Sequence, residues 1–509
     1  MNNPSRTKRR SGRKEKLAQR AAPVAVNPCP PGQPGGSYQP LSEGDCRAIY
    51  DTALRLLDDL GMGEVPKALR DQLVAHGARV KGDRVQLPPK LVEAAVAAAP
   101  RAFTLYGRDP ARSIHVGDDR VHFGTGGAAV QVLDLETGDY RPTTLRDLYD
   151  FTRLQDGFEN VSWFTRCCVA GDMPDEWTLD VNTVFALLKG TTKRVATSFT
   201  FAEHVAPILE MVEMADGVGS FRRNPWIKAH ISPVISPMRY GEDAVEVTLE
   251  CMRHGVPMSC ITAAQSGATA PATLAGFLAQ SLAETLGSLV MVHVFEPGYP
   301  MVFSNWPLVI DLRTGAFCGG GGEISVMNAA SAQIINWLGL VSGVASSMTD
   351  AKALDAQYGM EKGISAMAAG LAGGNLIYES AGMTASLLGA SFEAFLLDND
   401  MLAHIYRSLR GIEVNADTLG YDAIVEAVTG EGHFLGGAQT MAAMERDYFY
   451  PELADRDAPI TWSEKGRKDA WERANARAKE ILAKPNPGYL DAAAEKAIRD
   501  KFDIRLEAR

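Results

Sequence analysis

The stretch from Ser346 to Glu361 sets Asp350, Gln357, Tyr358 and Glu361 close together. Two carboxylates, an amide and a phenol thus stand where a core helix would be apolar. With Thr349 or Asp350 as N-cap, a helix at 3.6 residues per turn puts Asp350, Leu354, Gln357 and Glu361 on one face, with Tyr358 at its edge. Such a stripe is costly to bury without partners, so it faces either water or a polar site. Other chemistries find less support. Seven cysteines, at 29, 46, 167, 168, 251, 260 and 318, form no C-x-x-C pair, so neither disulfide staples nor a zinc site is indicated. His115 and His122 have no third ligand nearby, and no metal centre is expected. The run Gly319-Gly320-Gly321-Gly322 opens a helix, where an anion could sit on the N-terminus. No G-K-[ST] follows, however, and Glu323 repels phosphate, so a hinge or a close backbone approach fits better.

Periodicity gives the secondary structure around these residues. Residues 46–60, 67–76 and 88–98 carry apolar side chains three and four apart and predict helices. Residues 113–116 and 120–123 flank Gly117-Asp118-Asp119 as a hairpin would, and 130–135 forms a further strand before Thr137-Gly138. Beyond residue 140, strands are expected at 161–169, 194–199, 226–231, 258–262, 289–295, 301–304, 338–344 and 375–378. Helical segments at 179–188, 202–215, 241–254, 270–286 and 323–337 separate them. Short buried strands alternating with helices predict an α/β protein, a (β/α)8 TIM-type barrel with a helical and β-hairpin N-terminal extension. An open doubly wound sheet is the alternative, but no G-x-G-x-x-G follows the first strand. The expected division is a basic tail at 1–40, the N-terminal cap at 41–140, the barrel at 141–485 and a C-terminal helical tail at 486–509.

In a barrel, residues after each strand share one rim. That rim collects Arg166, Thr200, Ser232, Gln265 with Ser266, Glu296 with Tyr299, Asn305 with Trp306, the Asp350 helix, and Glu379 with Ser380. It is acidic, aromatic and rich in amides, without a serine or cysteine beside a convincing base.

Composition narrows the partners. At 46% apolar and 22% charged the chain is an ordinary globular one, and its net charge of -11 argues against nucleic acid as the main partner. No run approaches the roughly 20 apolar residues that cross a bilayer, and no signal peptide is apparent, so a cytoplasmic protein is expected. The first forty residues hold Arg6, Lys8, Arg9, Arg10, Arg13, Lys14, Lys16 and Arg20 against Glu15 alone, followed by Pro and Gly; this composition predicts disorder. A homo-oligomer is left open.

In order, Thr191 to Val195, Asp311 to Gly315 leading to Glu323, Asp355 to Tyr358 with Glu361, Ala390 to Glu393 with Asp398, and Gly432 to Leu435 resemble the trimethylamine:corrinoid methyltransferase family. The resemblance runs from about residue 41 to 483. It implies a (β/α)8 barrel that moves a methyl group from an amine to the Co(I) corrinoid of a separate small cobalamin-binding protein, with no cofactor held tightly by the chain itself. Founding members of that family use pyrrolysine to capture the amine, and this chain has only the twenty standard residues. A quaternary ammonium already carries the charge that demethylation relieves, so members similar to glycine betaine:corrinoid methyltransferases are the nearer comparison. Two departures stand out, the glycine-rich loop before Glu323 and Ala438-Gln439-Thr440 where relatives often carry a histidine before the threonine.

A quaternary ammonium has no N–H to donate, so aromatic faces and carboxylates must bind it, each cation–π contact contributing about 0.5–2 kcal/mol. Gln357, Tyr358 and Glu361 are the expected catalytic set. For the substrate, Trp163, Trp306, Tyr299, Tyr358 and Phe317 are expected as walls, Glu361, Asp350 and Glu379 as counter-charges, and Glu296 as a further binding residue. Arg166 or Arg313 would take a betaine carboxylate, and His433 would cap the cavity. Two other functions share these features: an amine-binding barrel that acts without corrinoid, and a non-catalytic amine-binding scaffold.

Overall fold

In the computed structural model, residues 27–507 are described. Eight short strands each run into a helix. The strands are β1 Arg120–Phe123, β2 Phe164–Thr165, β3 Val195–Thr197, β4 Ile227–Ile231, β5 Met258–Thr262, β6 Met301–Asn305, β7 Ser342–Ala345 and β8 Leu376–Tyr378. The helices that follow them are α1 Leu145–Asp156, α2 Glu176–Gly190, α3 Ala202–Asp216, α4 Glu242–Arg253, α5 Leu274–Phe295, α6 Gly322–Trp337, α7 Ala356–Leu371 and α8 Phe392–Leu409. All eight strands are parallel neighbours in one sheet, ordered β1-β8-β7-β6-β5-β4-β3-β2, and Gln33–Pro34 adds an antiparallel ninth strand beside β1. β4, β5 and β6 are buried at every position, as parallel strands covered by helices on one face and side chains on the other must be.

The sheet is curled. Lys228 of β4 and Ser259 of β5 reach across to Tyr378 of β8. At the two ends, the Ser162 amide donates to the Phe123 carbonyl at 2.7 Å and the Thr125 amide to the Trp163 carbonyl at 3.4 Å. The architecture is α/β, a curled parallel sheet wrapped by helices and consistent with a TIM-like barrel.

Several sequence expectations are corrected. Residues 289–295 are not a strand but the last turns of α5. A short apolar run reads alike as a strand or a buried helix, and α5 is buried on its outer side too, under the helices Glu43–Arg55 and Pro89–Ala98. Taken whole, α5 is long and apolar enough to cross a membrane by length and composition, yet 83% of its apolar window is buried inside the fold. Residues 120–123 do not pair with 113–116. Ile114–Gly117 pairs instead with Ala102–Leu105, leaving 120–123 free to enter the sheet as β1. The helix after β7 starts at Ala356, not at Thr349 or Asp350, because Asp355 accepts the Gln357 and Tyr358 amides at 2.9 and 3.2 Å. The expected disorder of the basic tail falls, for residues 1–26, outside the described residues. Residues 27–40 do pack on the fold: Cys29 is buried and the Gly35 amide donates to the Asp119 carbonyl at 2.8 Å. Glycine is needed there, since a Cβ on Gly35 would lie 2.5 Å from the Gly373 Cα.

Candidate active site

Tyr378, the last residue of β8, is the centre of a buried polar and aromatic group inside the sheet. Its ring stacks on His230 of β4, centroids 5.1 Å apart and planes 20° apart. Trp163 and Trp306 lie 5.1 and 5.2 Å from it, and His230 also meets Trp306 at 5.2 Å. Lys228 Nζ donates to the Tyr378 hydroxyl at 2.5 Å and to Ser259 Oγ at 2.8 Å. Lys228 and His230 share one strand face because side chains alternate along β4. Burial brings the Lys228 ammonium down to about 7, its hydrogen-bond partners being neutral hydroxyls. Burial, then the charges of Lys228 and Arg166, holds the His230 imidazole well below its usual range, so it is neutral.

Three nitrogen groups in this region are unanswered. His230 Nε2 and Trp306 Nε1 are buried without a hydrogen-bond partner among the described residues. The guanidinium of Arg166, the residue after β2, makes no hydrogen bond or ion pair to a described residue, while its amide donates to the Ala196 carbonyl at 3.1 Å; burial lowers its pKa, partly offset by Asp180. Asp180 itself is engaged by the Thr200 amide and His204 at 2.6 and 2.8 Å.

One acceptor is also unanswered. Glu379 follows β8 with a left-handed backbone, φ 64°, and is fully buried. Gly126 and Gly127, just past β1, close over it, since a Cβ on Gly126 would lie 2.4 Å from its Oε1. Neither carboxylate oxygen closes a well-formed hydrogen bond among the described residues. Burial pushes the Glu379 acid up to about 8, against the smaller opposing pulls of Lys362 and the Gly127 amide.

Tyr358 stands behind this group rather than in it. Buried between α7 and α8, its hydroxyl donates to Asp398 Oδ1 at 2.6 Å. Asp398 also accepts the Gly382 amide at 2.7 Å and pairs with the fully buried Lys362 at 3.1 Å. Tyr358, Asp398 and Lys362 thus form the charged support from which Lys362 acts on Glu379.

Asp350, Gln357 and Glu361 satisfy one another and the neighbouring backbone. Glu361 accepts Thr349 Oγ1 at 2.6 Å, the Asp350 amide at 2.8 Å and Gln357 Nε2 at 2.8 Å. Asp350 accepts the Gly319 amide at 2.6 Å, Ser386 Oγ at 2.7 Å and Cys318 Sγ at 3.1 Å. Burial raises the Asp350 pKa, but the hydrogen bonds from Cys318, Gly319, Ser386 and Gly320 outweigh it and leave the group lowered, as a carboxylate. The glycine run is therefore a close backbone approach: it wraps this carboxylate, and a Cβ on Gly320 would lie 2.2 Å from Glu361 Cδ.

The remaining expected residues are spread out. Glu296 and Tyr299 precede β6 and so sit at the opposite rim, with the Tyr299 hydroxyl donating to the Val256 carbonyl at 2.7 Å. Arg313 is exposed and paired with Asp311 at 2.8 Å, in the loop between Leu308–Ile310 and Phe317–Cys318. Phe317 is half-buried against the apolar cluster that holds Trp163 and Trp306. His433 lies 3.4 Å from Glu431 in a surface depression lined by residues between 416 and 440. The structure thus places Arg166, Trp306 and Glu379 directly after strands and Trp163 just before β2, with Asp350 on the loop after β7 and Gln357 and Glu361 on the first turns of α7. Sequence reading passed over Lys228, His230 and Tyr378. Their signal was polar residues at alternate positions within otherwise buried strands. Among the described residues, no cluster of His, Cys, Asp or Glu is arranged to hold a metal ion.

The aromatic and polar group is buried inside a parallel sheet, and α/β enzymes hold small ligands at the carboxyl ends of such strands. Likeness to known proteins supplies the chemistry, which is that of a methyltransferase. Residues 9–508 match the family model described as Trimethylamine methyltransferase (MTTB), and the chain belongs to that family. It is 27% identical over 478 residues to the glycine betaine methyltransferase of Desulfitobacterium hafniense (strain Y51), covering 94% of this chain and 97% of that one. The trimethylamine methyltransferase MttB of D. hafniense (strain DSM 10664 / DCB-2) is 30% identical over 453 residues, covering 88% and 90%. That of Methanosarcina barkeri is 29% identical over 477 residues, covering 90% and 94%.

Proposed function

We propose that this methyltransferase takes a methyl group from a quaternary amine of the betaine type and passes it to the Co(I) corrinoid of a separate carrier protein. The observation that carries this reading is the set of unanswered groups, of both kinds, in and just after the strands. The Arg166 guanidinium and Trp306 Nε1 are donors suited to a carboxylate, joined by His230 Nε2 in the tautomer that carries the proton there, while Glu379 and the faces of Tyr378, Trp163 and Trp306 suit a fixed cation. A zwitterion uses both ends; a simple trialkylamine leaves the donors unmet.

The reading includes a closed (β/α)8 barrel, supported by the two hydrogen bonds between the β1 end and the approach to β2. The catalytic unit would then begin at Arg120, with the preceding residues as its cap and the C-terminal helices as a tail. All seven cysteines are free thiols, which suits the reducing cytoplasm where a Co(I) corrinoid survives.

The residues here fit the amine, and the corrinoid stays with the carrier. When docked, it supplies the nucleophile for the methyl carbon. The chain's own groups orient the substrate so that one N-methyl faces the rim. Glu379, held by Lys362 and the glycine turn, stabilises the ammonium without bonding to it. As the C–N bond breaks, its electron pair stays on nitrogen and a neutral tertiary amine leaves. Positioning and electrostatics supply the rate, so no covalent enzyme adduct is needed. Gln357, Glu361 and Asp350 fix the loop at the rim, and Tyr358 fixes Lys362.

The test mixes the protein with cob(I)alamin and glycine betaine, proline betaine, carnitine, choline or trimethylamine. Methylcobalamin is expected with at least one betaine and not with trimethylamine. No product from any quaternary amine would remove the proposal.

A further inference from the structure

Toward the amino ends of the strands, on the side away from the rim, two cations stand without an anion. Arg194 directly precedes β3, and Lys228 is the second residue of β4. Both line one narrow void, whose remaining lining is aromatic and aliphatic and includes Trp163, Val195 and Trp226. The void has just room for one water-sized particle.

Arg194 is 7% exposed and Lys228 5%. The Arg194 Nη groups donate to the carbonyls of Ser162, at 2.6 Å, and of Arg112, while Nε is buried without a partner among the described residues. Lys228 donates to two neutral hydroxyls, those of Tyr378 and Ser259, and an ammonium has a third N–H to give. Neither cation forms an ion pair with a described carboxylate. Lys362, buried as deeply, shows the ordinary arrangement and pairs with Asp398 at 3.1 Å. Asp216, the acid that the Trp226 indole reaches at 3.1 Å, is already paired with Arg108 at 2.8 Å. Burial brings the Arg194 guanidinium down to about 9, and the charge of Arg112 pushes the same way.

We infer that this void is a binding site for a single halide ion, such as chloride, held between Arg194 Nε and Lys228 Nζ. Its size excludes a tetrahedral oxyanion or a carboxylate. A water could accept both N–H groups, but it brings no charge, and no lining side chain is a carboxylate or an amide to take its own protons. The indole N–H groups of Trp163 and Trp226 are given to Thr165 and Asp216, so Arg194 and Lys228 are the donors left to the void. Arg194 also lines a surface depression of about 400 Å³, with Arg112 and Lys193 beside it and Asp156 and Glu159 as the acids. Asp156 is held there by Arg112, Thr191 and Tyr489, so the excess of positive charge favours the entry of an anion from that side. Once bound, the ion keeps Lys228 an ammonium and so fixes the Tyr378 hydroxyl as its acceptor. The site is independent of the substrate proposed above, and its test contains no amine.

Crystals of the full chain grown with sodium bromide in place of chloride should show an anomalous peak in contact with Arg194 Nε and Lys228 Nζ. In solution, replacing gluconate by chloride at constant ionic strength should raise the melting temperature saturably by about 2–4 °C, half of it below about 100 mM. Lys228→Met should weaken chloride binding at least about tenfold and erase the bromide peak. Val195→Ile, which fills the void and leaves both charges in place, should erase the peak too, and it decides the matter if Lys228→Met does not fold. A water without anomalous signal in the void overturns the inference, as does Lys228→Met or Val195→Ile with the chloride response of the wild type. A bromide peak without a saturable chloride effect in solution overturns it as well, since that marks an adventitious ion only.

Discussion

At the scale of single residues the site turns on Glu379, a carboxyl whose acid form persists to about pH 8 in the free protein. Between its ordinary value near 4.5 and 8 the folded chain holds a proton that the unfolded chain has released. This group therefore favours folding fully below that window, and its contribution is lost as pH rises through it. A fixed cation placed beside Glu379 reverses the preference, so binding expels the proton. Affinity for a quaternary amine is expected to rise with pH, by at most about tenfold per unit, and to level off near pH 8. Calorimetry in buffers of different ionisation enthalpy reads the proton directly; Glu379→Gln should bind more weakly and without pH dependence, and a flat wild-type profile from pH 6 to 9 would exclude Glu379 as the partner. Arg166 belongs to the other end of the ligand. Replacing it with Met should remove one charge-assisted contact, about 1.5–3 kcal/mol, raising KM for a betaine about 10- to 100-fold. Choline, which has no carboxylate, should be spared. Equal losses for both substrates would show that Arg166 only supports the fold.

At the scale of elements, the loop after β7 and the glycine run before α6 are one unit, because Asp350 and Glu361 bind its backbone instead of a ligand. Gly320→Ala drives a methyl group into Glu361, so a stability loss of about 1–3 kcal/mol is expected, with kcat/KM falling about 10- to 100-fold through a displaced rim. A variant with unchanged melting temperature and activity would mean that the loop is free to yield. The same loop shows what a sequence hides. Carboxylates at Asp350 and Glu361 were visible as an unusual stripe, but spacing alone does not tell a carboxylate that meets substrate from one that meets an amide thirty residues away. Helices were legible from their apolar period, and Met258–Thr262 was placed to the residue. Residues 289–295 were misread because a buried helix lacks the polar face that gives helices away. β1 was misread because a local hairpin partner is the simpler reading of 113–123, and pairing with β8 depends on a contact more than 250 residues distant. Arg166, Trp306 and Glu379 stand directly after strands, where a barrel puts its rim, and that position made them legible. Lys228, His230 and Tyr378 lie within strands, where buried side chains are ordinarily core, and so escaped.

At the scale of the whole molecule, the groups proposed to meet the ligand come from around the sheet: Arg166 after β2, His230 on β4, Trp306 after β6 and Glu379 after β8. A ligand joining them ties opposite walls together, and this helps only if the walls form one ring. In an open sheet β2 and the Phe123 end of β1, beyond its pairing with Gln33–Pro34, would be edges, with amides exchanging through local fraying. In a closed barrel the Ser162 and Thr125 amides are as internal as those of β3 and β4. Hydrogen exchange resolved to single residues is therefore expected to find the Ser162 amide, bonded to Phe123 at 2.7 Å, protected to within about tenfold of the Val195 and Ala229 amides. Saturating betaine should raise all three together. At about 100 times the dissociation constant the added stability is about 2.7 kcal/mol, or roughly a hundredfold slower exchange wherever opening is global. If Ser162 exchanges orders of magnitude faster than Val195 and ignores the ligand, the sheet is open between β1 and β2, and the site lacks the rigid wall that in-line methyl transfer requires.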